Sequence, residues 1–150
     1  RFSDVMLMRA EALIETDQLA EARTIINDIR QRAKNSVDKH IAYAKDQCEI
    51  ALYPESYFQN KETARKCLRW ERRLELAMEN GRYFDLRRWG LASKTLNAYF
   101  ATEKNDVYDG QTYATYLKDA HYTAGKNEFY PIPYNQLYYV PGLYKQNKNY

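Results

Sequence analysis

From Gln18 to Lys34 the apolar positions Leu19, Ala22, Ile26, Ile29 and Ala33 step by three and four, the seam of a helix packed on another helix. Residues 3–15, SDVMLMRAEALIE, carry the same period, with Ser3 as the expected N-cap and Val5, Met8 and Ala12 on one side. The TDQ link between the two is short enough to force an antiparallel hairpin. Ala10, Ala12, Ala20 and Ala22 permit close approach of the pair, and a helix-turn-helix unit of roughly 34 residues has the length of a tetratricopeptide repeat. No second copy is visible, so the hairpin needs partners from later in the chain or from sequence outside these residues.

After a polar link over 35–39 the pattern predicts a helix over 40–52, which Pro54 in YPESYFQN ends because its ring has no N–H to continue the ladder. Asn60 is placed to cap a strong helix over 61–79. Gly81 suits the left-handed residue that follows many helices, and RYFDLRRW starts a second, shorter one. On the 61–79 helix Ala64, Cys67, Leu68, Leu74 and Met78 share a face with Glu71 and Glu75, so these two carboxylates point at protein. A carboxylate in that position needs donors, and Arg82, Arg87 and Arg88 stand just past the turn. The expectation is a charge-paired corner locking two helices, with Trp70 and Trp89 as core anchors.

Composition changes this picture little. The chain has 150 residues, enough for one domain with its own core, and 23 basic against 20 acidic residues give a net charge of +3. That balance argues against a nucleic-acid surface, as do the acids interleaved among Arg69, Arg72, Arg73, Arg82, Arg87 and Arg88. No apolar run reaches the roughly 20 residues of a membrane span. The chain opens at Arg1-Phe2-Ser3 directly on a helical pattern, which is expected of a part of a longer protein.

Candidate chemistry is sparse. Glu71 and Glu75 are one helical turn apart, but a glycosidase pair must flank its sugar with one pKa raised, and neighbouring arginines oppose that. His40 and His121 have no ligand partners at metal spacing and read as surface residues. NDVYDGQTY fails as a calcium loop because Val107 and Tyr116 stand where oxygen ligands belong; Asp109-Gly110 fits a hairpin tip. No metal or cofactor is implied. Cys48 and Cys67 lie symmetrically about residues 57 and 58, so antiparallel helices could bring them level for a disulfide. Cys67 serves equally well as a small buried apolar residue.

Three stretches, RFSDVMLMRAEAL, ERRLELAMENGRYFDLRRWG and FYPIPYNQLYYVPGLYKQN, in this order resemble the C-terminal part of the SusD/RagB family of outer-membrane nutrient-binding lipoproteins. The family's charged signature falls on Glu71, Arg72, Glu75, Leu76, Glu79, Arg82, Asp85, Leu86, Arg88 and Trp89. Its closing pattern falls on Tyr130, Pro131, Pro133, Pro141, Leu143, Gln146, Asn147 and Tyr150. Asn80-Gly81, Val140 and Lys148-Asn149 depart from the family's usual residues, all at turns. The resemblance implies a mainly α fold of tetratricopeptide-like hairpins with an irregular, Tyr-rich C-terminal segment. It further implies a non-enzymatic, cell-surface protein of the Bacteroidetes type that captures glycans or peptides. Such a protein works with a SusC-like TonB-dependent transporter and is held to the outer membrane by a lipid anchor on an upstream N-terminus. No ligand contact is carried over from the signature, which keeps the fold.

The fifteen tyrosines remain. Between Tyr99 and Tyr130 the chain is least helical, and Tyr108 and Tyr113, flanking the Asp109-Gly110 tip, are the preferred ligand contacts, with Tyr116 and Tyr122 as further candidates. A tyrosine offers a flat apolar face to a sugar and a hydroxyl to its rim; the same rings can instead pack the loop onto the helices. A helical-repeat scaffold that binds a protein partner is the alternative function.

Overall fold

The computed structural model describes residues 1–40, 48–105, 107–108, 111–112 and 115–150; for Asp38, His40 and the strands within 107–112 it describes the backbone alone. The protein is mainly α and divides into two compact units, Arg1–Arg82 and Tyr83–Tyr150.

The first unit is built on a helical hairpin, α1 (Phe2–Glu15) and α2 (Leu19–His40), with α3 (Lys61–Glu75) packed on both. Asp17 takes a left-handed φ of 64° in the turn. The seam of α2 is as expected: Ala22, Ile26 and Ile29 are buried, joined by Ile25. On α1 the buried side is Leu7, Ala10, Leu13 and Ile14, whereas Val5, Met8 and Ala12 are exposed. The buried face of α1 is therefore not the one its period predicts. Apolar residues surround α1, so its period alone does not choose a side, and Ser3 lies inside the helix instead of capping it.

Helix α2 runs through the expected polar link to His40, since NSVDK holds no Gly or Pro, and Gln31 Nε2 donates to Asn35 Oδ1 at 2.7 Å one turn on. Residues 48–52 are not helical, and 41–47 lie outside the described residues. Both cysteines are free, Cys48 exposed and Cys67 buried, where desolvation pushes its thiol up. With no helix over 48–52 to run beside α3, the pairing that would level them does not arise.

After Pro54 a 3-10 turn, Glu55–Phe58, delivers Phe58 to the core. The extended stretch before it has no strand partner, and two α2 side chains supply one. Asn27 Nδ2 donates to the Tyr53 carbonyl at 3.0 Å, and Tyr53 N–H donates to Asn27 Oδ1 at 2.9 Å. Arg30 Nε donates to the Ala51 carbonyl at 2.6 Å, and its guanidinium lies 4.5 Å from the Tyr53 ring centre. Burial pushes the Tyr53 phenol up to about 12, against the pull of Arg30.

Asn60 caps α3 as expected, its Oδ1 accepting from Thr63 N–H at 2.9 Å. The buried face of α3 is Ala64, Cys67, Leu68, Glu71 and Arg72. Leu74 and Met78 are exposed, and Trp70 is 51% exposed with Arg73 over its ring, so neither Leu74, Met78 nor Trp70 anchors this core. The helix stops at Glu75. Met78 and Asn80, not Gly81, take left-handed backbone, with φ of 65° and 62°. Asn tolerates that region through local hydrogen bonds, which frees Gly81 from the role.

Glu71 and Glu75 do face protein, and within the first unit they are met by arginines of α2 and by Arg1. Glu71 Oε2 accepts from Arg30 Nη1 at 2.7 Å. Glu75 accepts from Arg32 and, at 3.1 Å, from Arg1 Nη2, whose Nε also reaches Glu79 at 2.8 Å. Arg72 Nη1 stands 2.8 Å from Asp4 Oδ1. The helical period gives the direction in which a carboxylate points, and the neighbour in that direction is α2 with the start of α1. In the second unit Arg88 holds Asp85 of its own helix at 2.9 Å.

Glu71 is 4% exposed, and burial raises its carboxyl pKa against the lowering pull of Arg30. Breaking a buried pair from one side leaves a charge without its partner, so Glu71→Ala should cost roughly 3 to 5 kcal/mol in denaturant unfolding. A loss no larger than that of an exposed variant such as Glu62→Ala would refute the role. Because the folded pKa lies above the unfolded one, the folded state holds the extra proton in the window between them. Glu71 therefore contributes a loss of stability as pH rises from its ordinary value of 4.5 through the raised one. Melting temperature measured against pH for the wild type and Glu71→Gln should show that component missing from the variant.

Candidate functional site

The second unit carries the aromatic surface. It begins with α4 (Arg82–Arg88) and α5 (Ala92–Glu103), followed by two short strands, β1 (Val107–Tyr108) and β2 (Gln111–Thr112), a 3-10 turn over Thr115–Leu117, and α6 (Tyr134–Tyr139). The strands pair antiparallel, Val107 with Thr112 and Tyr108 with Gln111, in agreement with the hairpin expected there. Leu86, Ala92 and Tyr122 form the buried core, with Tyr83, Leu91, Leu96 and Phe100 packed around them. Tyr99 and Phe100 lie on α5, so the irregular segment starts later than the sequence suggests.

Side-chain amides position the irregular backbone from Tyr122 onward. Asn97 on α5 donates to the Tyr122 carbonyl at 3.0 Å and accepts from Tyr122 N–H at 2.7 Å, which fixes the ring into the core. Tyr83 Oη donates to the Asn127 carbonyl, and Asn127 Oδ1 accepts from Thr123 N–H at 2.6 Å. Gln146 does for Ile132 what Asn97 does for Tyr122, accepting from its N–H at 2.8 Å and donating to its carbonyl at 3.0 Å. Asn147 Nδ2 donates to the Tyr130 carbonyl at 2.6 Å, and Tyr150 Oη donates to that of Phe129 at 2.8 Å. The closing residues Gln146, Asn147 and Tyr150 thus hold the stretch from Phe129 to Ile132 as a missing strand would.

Two adjoining clefts result. One, of about 330 Å³, is lined by Tyr83, Phe100, His121, Tyr122, Phe129 and Tyr130 among others. The other, of about 430 Å³, is lined by Phe84, Arg87, Arg88 and Glu128. The Arg87 guanidinium lies 5.6 Å from the Tyr83 ring centre and 5.8 Å from that of Phe129, so rings of the first cleft support a cation of the second.

The tyrosines favoured by the sequence separate here. Tyr122 is 5% exposed, and desolvation, with Tyr83 beside it, raises its phenol. It is a core ring that also lines the first cleft. Tyr116 is 79% exposed, within the 3-10 turn. The side chain of Tyr108 and all of Tyr113 lie outside the described residues, as do Asp109 and Gly110. His121 is on the surface, and the His40 side chain is outside the described residues. Arg87 and Arg88, expected in the ion-pair corner with Arg82, line the second cleft. Sequence reasoning missed Phe84, Glu128 and Phe129, because roughly 40 positions separate the two latter from Arg87 and no helical period connects them. The one signal in the sequence is compositional: no charged residue occurs between Glu128 and Lys145.

Among the described residues no group of three or more His, Cys, Asp or Glu could hold a metal, and no helix is long and apolar enough to cross a membrane. No curated protein matches the chain. The family model described as the SusD family matches residues 1–150. That family binds nutrients such as glycans at the cell surface, is not known for catalysis, and consists of outer-membrane lipoproteins that work with SusC-like transporters. A tetratricopeptide-like hairpin, a signature whose charges lock α3 to α2 and α1, and a closing pattern that clamps residues 129–132 agree with that match over its whole length: the chain belongs to the SusD family.

Proposed function

We propose that the protein captures glycans or peptides at the outer-membrane surface and passes them to a SusC-like TonB-dependent transporter. In this reading a lipid anchor on an upstream N-terminus is its only tie to the membrane, and it performs no catalysis. Membership of the SusD family over residues 1–150 is the observation that carries the reading. Exposed aromatic rings around the clefts of the second unit add support, since rings of that kind stack on sugars and on peptide side chains alike. The signature glutamates fit no hydrolytic role, because each is held by arginine.

The scaffold alternative draws on one observation, the exposed Phe2, Val5 and Met8 of α1. It is weaker, because family membership already explains the helical hairpin without a protein partner.

Binding of glycans and oligopeptides by the intact protein tests the proposal. Tyr116→Ala, together with Tyr108→Ala and Tyr113→Ala, should weaken the best ligand severalfold while leaving the melting temperature in place. Tyr122→Ala should instead cost roughly 3 to 5 kcal/mol of stability, as large aromatic truncations in a core do. An intact protein that binds neither class of ligand, or loop variants that bind as well as the wild type, would count against the assignment.

A further inference from the structure

Of the three charged residues that line the second cleft, Arg88 is held by Asp85 of its own helix at 2.9 Å, and the other two, Arg87 and Glu128, are opposite charges that do not satisfy each other. Arg87 sits on α4 with its guanidinium over the rings of Tyr83 and Phe129, and among the described residues no carboxylate lies within salt-bridge distance of it. Glu128 lines the same cleft, and its Oε2 is shielded from solvent without a hydrogen-bond partner. Tyr122 Oη is likewise shielded from solvent, beside the Tyr83 hydroxyl. Phe84, 59% exposed, lines the same cleft and meets the Tyr83 ring edge-on at 5.9 Å.

A shielded carboxylate oxygen without a partner is costly and uncommon in native structures, and it marks a place where something else completes the bonding. The chemistry of the set restricts what that is. With rings beside it and no carboxylate within salt-bridge distance among the described residues, the guanidinium has N–H groups left to donate, while Glu128 can only accept. An anionic ligand that reaches Arg87 meets the repulsion of Glu128, and a cationic ligand at Glu128 meets that of Arg87. A neutral polyol avoids both penalties, since each hydroxyl donates to the carboxylate or accepts from the guanidinium. An exposed ring at the rim adds a surface for the C–H face of a pyranose. The volume of about 430 Å³ falls within the range of small-ligand pockets.

We infer that the cleft of Phe84, Arg87 and Glu128 is a subsite for a neutral saccharide residue, with Glu128 accepting from and Arg87 donating to its hydroxyls and Phe84 stacking on its ring. This rests on the nutrient-capture reading and narrows its ligand to uncharged glycans. The uncharged stretch from Phe129 to Tyr144, which follows Glu128 directly, suits such a ligand as well.

Calorimetric titration of the intact protein with neutral gluco-, xylo- and manno-hexasaccharides, an oligogalacturonate and tetra-alanine tests the inference. A neutral hexasaccharide should bind best. Glu128→Gln, which keeps shape and removes charge, and Arg87→Lys should each weaken it on the order of tenfold, and Phe84→Ala severalfold. If Glu128→Gln or Arg87→Lys fails to fold, Phe84→Ala still decides, since its exposed side chain can be removed without opening the core. Neutral glycan binding that all three variants retain at full strength overturns the subsite while leaving the capture function standing. Preference for the oligogalacturonate or the peptide overturns the neutral-saccharide class in the same selective way. Absence of binding to every probe by the folded wild type overturns both.

Discussion

A backbone without a strand partner must still have its N–H and C=O groups bonded, and in this protein side-chain amides meet that constraint. Asn27 on α2 grips Tyr53, Asn97 on α5 grips Tyr122, and Gln146 grips Ile132, each donating to the carbonyl and accepting from the N–H of one residue. A primary amide offers one acceptor and two donors on a rigid plane, the smallest unit that reproduces one rung of a sheet. Extended segments can then lie against helices with their polar backbone satisfied. Two of the three gripped residues are tyrosines whose rings pack into or against a core, so each clamp also sets how a large side chain enters its unit. Within the second unit the clamps on Tyr122 and Ile132 bracket the stretch that forms both clefts.

Charge performs the corresponding task in the first unit. Arg30 bonds the Ala51 carbonyl, covers the Tyr53 ring and meets Glu71, so one side chain of α2 joins the extended stretch to α3. A lysine in its place would keep the charge and lose the fork that allows several bonds at once. The dense charge of the signature is therefore positional chemistry. It fixes α3 against α2 and the start of α1, and the raised pKa of Glu71 reflects burial in that junction, not preparation for proton transfer.

Each kind of sequence signal encodes a different range of the structure. Period and capping act within one helix, so the seam of α2, the Asn60 cap and the inward-facing position of Glu71 and Glu75 are legible in the sequence. Partner choice depends on which helix lies opposite, and no local pattern states that; the part played by Arg1, Arg30 and Arg32 is therefore invisible in the period of α3. The α1 face misleads because apolar residues encircle it. The early stop of α3 is hidden because Met78, a residue type that rarely takes left-handed backbone, adopts it alongside Asn80. The family resemblance compensates for some of this, since three ordered motifs fix a fold that period alone leaves open. The second cleft is beyond reach for a further reason. Glu128 is brought to Arg87 by the Asn97 clamp on Tyr122 and the Tyr83 bond to Asn127, and a long-range hydrogen bond of that kind leaves no periodic trace.

The abundance of tyrosine, uninterpretable as a count, resolves into distinct physical uses once burial and hydroxyl partners are known. Tyr53 and Tyr122 contribute ring volume, and their raised phenols report the desolvation that comes with it. Tyr83 and Tyr150 contribute a hydroxyl, each donating to a backbone carbonyl of the 127–129 stretch. Tyr116, Tyr130, Tyr134, Tyr138 and Tyr139 remain mostly exposed, and α6 buries none of its residues. Tyr134 and Tyr138 stack on each other at 6.1 Å, and Tyr139 meets Tyr138 edge-on at 5.7 Å, so these rings shield one another in place of a core. Leucine in those positions would be equally apolar and would lack the hydroxyl that keeps an exposed ring compatible with water. Tyrosine is thus the residue that lets one short unit hold a core, tie its backbone and still present aromatic surface around its clefts.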